Sequence, residues 1–347
     1  DVAINLSDGG GVDLTIPGVV DDDSGGGSNR ALSLNLGTGN LAFSNNVGST
    51  QALGSLTVTN AGNVTFSQAL NVDGAHTQTA GAGTTTFTGA ASAGSYDVTA
   101  TTGIVTSSTL TATGGGNISL ASDELNFGGG ANSIIGTGTL TLKQATAAAT
   151  VGIGSSAGLT LDFDDNDILA VKDGFSSITI GDGTSGNVIV DGATFLDNLT
   201  IVSGADLTVQ TAALSTTGSI ALSADGNVVA NHSVIATTTN AITADVDNSG
   251  AGNITINAGS GGTSGIRGTS VTLSSGGSAT DVTISDDFDN TSGTVVFADA
   301  LNQITLNAGV VTDGDIDFGN NTVIAGANVT VNADKAAANP ARIVTLG

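Results

Sequence analysis

A short alternation of apolar and hydroxyl-bearing positions recurs from one end of the chain to the other. It reads Leu-Thr-Val at Leu56–Val58, Leu-Thr-Leu at Leu140–Leu142 and Leu159–Leu161, and Ile-Thr-Ile at Ile178–Ile180. It returns at Leu199–Ile201, Leu207–Val209, Ile254–Ile256, Val271–Leu273, Val282–Ile284, Ile304–Leu306 and Val329–Val331. Apolar residues two apart, separated by Thr, put two side chains on one face of a strand and a hydroxyl on the other. Leu140, Leu159 and Ile178 follow one another at 19 residues, Ile178, Leu199 and Ile220 at 21, and Val282 and Ile304 at 22. About 20 residues suit one coil of a parallel β-helix, because a single coil cannot bury its inward face and must stack on its neighbours. The pattern therefore predicts an all-β chain, a single parallel β-helix (a β-solenoid) over residues 1–347. Dividing that length by 21 gives about 16 coils, and at ~4.8 Å per coil a rod of roughly 75–80 Å.

The turns between strands carry residues that tolerate unusual backbone angles, as in Asn60-Ala61-Gly62-Asn63, Gly114-Gly115-Gly116-Asn117 and Gly181-Asp182-Gly183. Asn63, Asn117, Asn198, Asn253 and Asn328 directly precede strand phrases, so stacked Asn ladders are expected there. Phe43, Phe66, Phe87, Phe127, Phe195 and Phe297 are expected as stacking residues in an aliphatic core. Two regions depart from the pattern. Residues 8–28 are rich in Gly and Asp, hold Pro17 and the run Asp21-Asp22-Asp23, and read as a protruding loop. Residues 332–347 read as a C-terminal cap or subunit-joining segment, ending in the strand-like Ile343-Val344-Thr345-Leu346.

Composition narrows the function classes. Gly accounts for 52 residues and Pro for 2, with no Gly-X-Y period, which excludes collagen and argues for many tight turns. Mean hydropathy is +0.25, too apolar for a disordered chain. The net charge is −25 although only 11% of residues are charged, because Lys and Arg together number six. No basic patch can form, so nucleic acid and anionic lipid are not expected partners. Cys is absent, which removes disulfides, thiolate metal sites and thiol nucleophiles. No apolar run approaches the ~20 residues that span a bilayer, so membrane insertion is not expected. Asp1 stands where an initiator Met would, and reads as a processed or cut end.

The segments Gly138-Thr139-Leu140-Thr141-Leu142, Val151-Gly152-Ile153-Gly154 and Asp173 to Gly181, within residues 124–203, resemble the β-strand-repeat modules of very large bacterial surface proteins. Those modules belong to the filamentous-haemagglutinin-like and autotransporter-passenger group. Gly54 to Thr59 and Asn63 to Phe66 are similar to the same modules. The resemblance implies an exported, right-handed parallel β-helix, secreted or displayed at the cell surface, with a structural or adhesive role. It brings no catalytic residues. The secretion domain of that group carries an Asn-Pro motif, whereas the one Asn-Pro here is Asn339-Pro340, at the opposite end.

Candidate chemistry is sparse. Asp162, Asp164 and Asn166 offer oxygen ligands at alternate positions, as a calcium loop does, but the sixth position is Asp167 rather than Gly and the twelfth is Asp173 rather than Glu. Asp286, Asp287 and Asp289 form a similar set, and Ca2+ is the cofactor these acids would take. Solvated turn carboxylates are the competing reading. A polysaccharide-degrading enzyme is the catalytic alternative, since β-helices host such chemistry with paired carboxylates. The Gly-His-Gly and Arg-x-Lys motifs of the pectinases are both missing, and His76 and His232 read as surface or turn residues. The expectation is a non-enzymatic extracellular building block. A β-helix must cap its ends or risk edge-to-edge joining. Val2, Ile4 and Leu6 at one end, with Ile343, Val344 and Leu346 at the other, are the expected contacts of a head-to-tail surface filament. The alternative is a stalk or passenger segment of a giant adhesin that binds a glycan or a cell-surface receptor.

Overall fold

Most of the apolar-Thr-apolar phrases become strands whose outer two side chains point inward; Leu159–Leu161 and Val329–Val331 do not. Leu56 and Val58 are buried while Thr57 between them is half-buried, and the same pattern holds at Leu140–Leu142, Leu199–Ile201 and Ile304–Leu306. The structure is a computed structural model. It describes all residues except 8–9, 24–28, 156–158, 237–240, 247–251, 258–265, 277–279, 286–287, 291–292, 299–300, 327, 334–343 and 346–347. The chain divides into two compact units, residues 1–149 with 160–179, and residues 150–159 with 180–347.

In the first unit the chain visits three parallel sheets in turn. The first sheet runs Val2–Asn5, Ala31–Asn35, Ser55–Asn60, Ala75–Gln78, Ser95–Thr99, Ile118–Ala121, Thr139–Lys143. The second runs Leu14–Ile16, Leu41–Phe43, Val64–Phe66, Thr84–Phe87, Gly103–Thr106, Leu125–Phe127, and the third Leu70–Asn71, Ala91–Ala93, Leu110–Ala112, Ile134–Ile135. Every pair is parallel and residues stack in register, as in Leu56↔His76↔Tyr96↔Ile118↔Leu140 if read from winding to winding. The second unit repeats the plan. Its second sheet contains Val188–Asp191, Leu207–Val209, Val228–Ala230, Ile254–Ile256, Asp281–Ile284, Gln303–Leu306 and Thr322–Ala325 in order. This is a β-solenoid, as the repeat predicts.

Two devices hold successive windings in register. The first is the side-chain ladder at the strand entrances. In the second unit Asn187, Asp206, Asn227, Asn253 and Asp281 each accept a bond from the next residue of the column, as in Asn227 N to Asp206 Oδ1 at 2.7 Å and Asn253 N to Asn227 Oδ1 at 2.9 Å. Asn63, Asn117 and Asn198 likewise accept from Thr84, Thr139 and Ser219 of the following winding. Asn328, also expected in a ladder, is exposed. The second device is a column of glycines at the corner entering the first sheet of the first unit: Gly54, Gly74, Gly94, Gly116 and Gly138. Gly74 N donates to Gly54 O at 2.9 Å and Gly94 N to Gly74 O at 2.7 Å. A Cβ on Gly94 would stand 2.6 Å from Asp73 O. Close backbone approach, rather than a left-handed torsion, excludes side chains here.

All six expected Phe residues are buried. Phe43, Phe66 and Phe87 stack face to face with centroids 5.1 and 5.2 Å apart. Other expectations need correction. Within 8–28, expected to protrude, Leu14–Ile16 is a strand paired with Leu41–Phe43, and Val20 bridges Val47. The 19-residue spacing through Leu159 does not mark windings. Leu159 lies in a bend, and the strand is Leu161–Phe163, with Leu161 and Phe163 buried. After Thr139–Lys143 the next strand of the first sheet is Ser177–Ile180, and the chain between them forms a six-residue helix, Asp165–Ala170. Windings are also less even than the repeat suggests, since Val2 pairs Leu32 and Ile242 pairs Val271, whereas Leu56 pairs His76.

Gly94→Ala is expected to lower stability by about 1–3 kcal/mol in urea unfolding, because the methyl group must displace backbone. Gly18→Ala, where a Cβ meets nothing within 4 Å, should leave the midpoint unchanged. Asn227→Ala removes an acceptor and a donor from the middle of the ladder, and about 1–2 kcal/mol of destabilisation is expected in the same assay.

Candidate functional site

The helix of the first unit follows from its cap. Asp164 has extended backbone and its carboxylate accepts from Asn166 N at 2.7 Å and Asp167 N at 3.0 Å. Asp167 returns a bond by accepting from Asp164 N at 3.3 Å, which completes a capping box. Ala170 is buried, and Phe163, just before the cap, lies edge-on to Phe127 at 6.0 Å. Between the helix and the strand Leu125–Phe127 lies a cleft of about 380 Å³, lined by Glu124, Asn126, Phe127, Asp162, Asp164, Asp167 and Leu169 among others. Leu169 stands at its edge, 61% exposed.

Asp167 is the deepest carboxylate, 5% exposed, and its Oδ1 accepts from Phe127 N at 2.6 Å. Burial pushes its carboxyl up to about 7, and the charges of Asp164 and Glu124 add to that effect. The Phe127 and Asp164 amides pull the other way without cancelling it. Glu124 is raised by burial and by the charges of Asp162 and Asp164. The cleft thus gathers four acids, of which Asp167 can take up or release a proton near neutrality.

The residues expected as calcium ligands are placed differently from a coordination loop. Asp162 is on the strand Leu161–Phe163, Asp164 is the helix N-cap, and Asn166 sits in the first helical turn with its amide 3.4 Å from Asp164 Oδ2. Asp289 lies on the strand Phe288–Asn290 of the second unit, with Val311 as its register partner. Asp286 and Asp287 lie outside the described residues. Among the described residues no three His, Asp or Glu side chains are grouped so as to hold a metal ion. The acids of the Asp21–Asp23 run have other partners. Asp21 accepts from Thr50 N at 3.0 Å, Asp22 accepts from Arg30 N at 2.8 Å, and Asp23 pairs with the Arg30 guanidinium.

Of the expected joining residues, Val2, Ile4 and Val344 lie on strands at the sheet edges, and Leu6 follows the first of these strands. Among the described residues Val2–Asn5 pairs only with Ala31–Asn35; Val2 is 56% exposed and Ile4 and Leu6 are half-buried. Beside it opens a cavity of about 450 Å³ lined by Val2, Ile4, Ile16, Val20, Leu32 and Leu53, with Asp21–Asp23 and Arg30 alongside. In the second unit Val344 is 41% exposed on the strand Val344–Thr345, which pairs with Ile316–Asp317. Ile343 and Leu346 lie outside the described residues.

His232 occupies a turn as expected, its Nδ1 accepting from Ser233 N at 2.9 Å. His76 does not. It is 0% exposed, pointing into the core of the first unit. The phrase Ala75-His76-Thr77-Gln78 is polar or small throughout, so alternation alone gives no inward face. The register does, because His76 lies 20 residues after Leu56 and 20 before Tyr96 in one inward column. No protein-family model, curated protein or solved structure matches this chain.

Asp167 also sets a pH dependence. Its folded carboxyl holds a proton up to about 7 that the unfolded chain releases near 3.8. Its contribution to stability is therefore full below pH 3.8 and is lost as pH rises through 7. Asp167→Asn should raise stability over wild type at pH 8 by about 1–3 kcal/mol and give no comparable gain at pH 4, as read from urea midpoints at the two pH values. Equal differences at both pH values would remove Asp167 as the source.

Proposed function

We propose that the chain is a non-enzymatic structural module of a secreted or cell-surface filament, a right-handed β-solenoid joined head to tail through its end windings. The observation that supports this reading is the unfilled edge at Val2–Asn5, where apolar side chains and one rank of backbone donors and acceptors stand unpaired beside a cavity of about 450 Å³. Such an edge is a template for another parallel strand. A second copy offers one at Val344–Thr345, where the apolar Val344 is exposed. A contact that joins one end to the other is heterologous and does not close, so it propagates as a fibre. Six cations against 31 acids disfavour nucleic acid as a partner and favour an extended surface that repels its neighbours sideways while joining at its ends. No helix among the described residues is long and apolar enough to cross a membrane.

A second reading, the stalk of a giant adhesin, draws on the uneven windings. Register partners such as Ile242 and Val271 stand farther apart in sequence than Leu56 and His76, and longer windings have residues to spare for meeting a glycan or a cell-surface receptor. In that case the edge at Val2 is covered by neighbouring windings of a longer chain.

Negative-stain microscopy and sedimentation of the purified chain across a concentration series separate the two. Filaments that lengthen with concentration, and that are abolished by Val2→Lys with Ile4→Lys, are expected. Isolated rods at every concentration would overturn the filament reading.

A further inference from the structure

We propose that His76 is a proton-operated release for the core of the first unit: neutral, it completes the packing of the windings between Ser55 and Thr106, and protonated, it opens them. The geometry supports this independently of the filament reading. The ring is wholly enclosed and stands edge-on to Phe66, Phe87 and Tyr96, with centroids 5.4, 5.8 and 5.9 Å away and interplanar angles of 90°, 89° and 82°. Neither ring nitrogen makes a hydrogen bond of ordinary geometry. The Leu56 backbone, one winding below, favours the charged ring, but burial outweighs it.

Among the described residues no anion faces the ring to receive an imidazolium. The inward residues of the neighbouring strands are Leu56 and Val58, Val64 and Phe66, Thr85 and Phe87, and Tyr96 and Val98. On its own strand the inward neighbour is Gln78. Its side chain is already committed, accepting from Thr85 Oγ1 at 2.8 Å and donating to Thr99 O at 3.0 Å. Among the described residues Tyr96 is the one other titratable group facing the ring, and burial raises its hydroxyl, which keeps it neutral. Asp97, on the same strand as Tyr96, is exposed on the outer face. A charge placed on His76 would therefore be buried without a partner, and the native windings resist it while the open ones do not.

Burial lowers the imidazole from 6.5 to about 4. Unfolded or opened chain takes up the proton near 6.5, so the stabilisation is complete above that pH and declines as pH falls toward 4. Over the window the opening equilibrium shifts by up to about 300-fold. Acid thus loosens these windings through one residue, opposite in sign to the effect of Asp167.

The test is hydrogen–deuterium exchange of the full chain at pH 4.5 and 7, corrected for intrinsic exchange rates, on wild type and His76→Leu. The replacement matches Leu56 in the same column. Wild type should open about 60-fold more readily over residues 55–106 at the lower pH, and the variant should lack that increment. An equal acid response in the variant overturns the proposal. Should His76→Leu fail to fold, the imidazole is followed directly by NMR in His232→Gln, which leaves a single histidine. Titration below pH 5 supports the proposal, and titration near 6.5 refutes it.

Discussion

In-register stacking of inward side chains from one winding onto the next is the constraint on which the rest of the structure depends. A strand of three or four residues with two inward side chains has no independent stability. Its hydrogen bonds, its apolar contacts and its position all come from the windings above and below. Register errors are excluded because a slip of one residue would exchange Leu56 and Val58 for Thr57 on the core side. The entrance ladders and the corner glycines enforce the same alignment from outside the core. An Asn or Asp oxygen holds the next winding's amide, and the absent Cβ lets backbone approach backbone.

Volume is balanced across sheets within each winding. The Phe43–Phe66–Phe87 column is followed in register by Thr106 and then Phe127. In the winding that carries the smaller Thr106, the first sheet supplies Tyr96, the bulkiest of the fully buried side chains, which stands 6.3 Å from Phe87. The winding before it carries His76 opposite the small Ala91 and Ala93 of the third sheet. Tyr96 and His76 are thus large polar side chains in windings that carry small ones elsewhere, and His76 is retained at the cost of a buried ionisable group.

The parts of the fold legible in the sequence are those that alternate strictly. The Thr-centred phrases, the six Phe residues and the entrance asparagines at Asn63, Asn117, Asn198 and Asn253 all announce themselves by period and by turn chemistry. Three features do not. Leu14-Thr15-Ile16 carries the same Thr-centred phrase, but the Gly- and Asp-rich residues around it read as turns and mask it. The acidic cleft depends on Asp162, Asp164 and Asp167, whereas the linear spacing singles out Asp162, Asp164 and Asn166 as alternate oxygen ligands and says nothing of a cleft. The Asp164–Asp167 capping box starts the helix, and what linear order does not show is that Asp167 also reaches Phe127 N, 40 residues away. His76 is hidden because its own phrase carries no apolar contrast, and its neighbours in space lie one winding away in either direction.

The chain has no Cys, so the stacking can be read by disulfide formation between introduced pairs. Thr65 and Thr86 are outward register partners on adjacent windings, and Val105 follows Thr86 one winding further on. Neighbouring strands lie ~4.8 Å apart, within the Cα separation a disulfide spans, whereas two windings exceed it. Thr65→Cys with Thr86→Cys should oxidise rapidly to an intramolecular bond in the folded chain, and Thr65→Cys with Val105→Cys should not. Failure of the first pair, or equal oxidation of both, would contradict a solenoid stacked in this register.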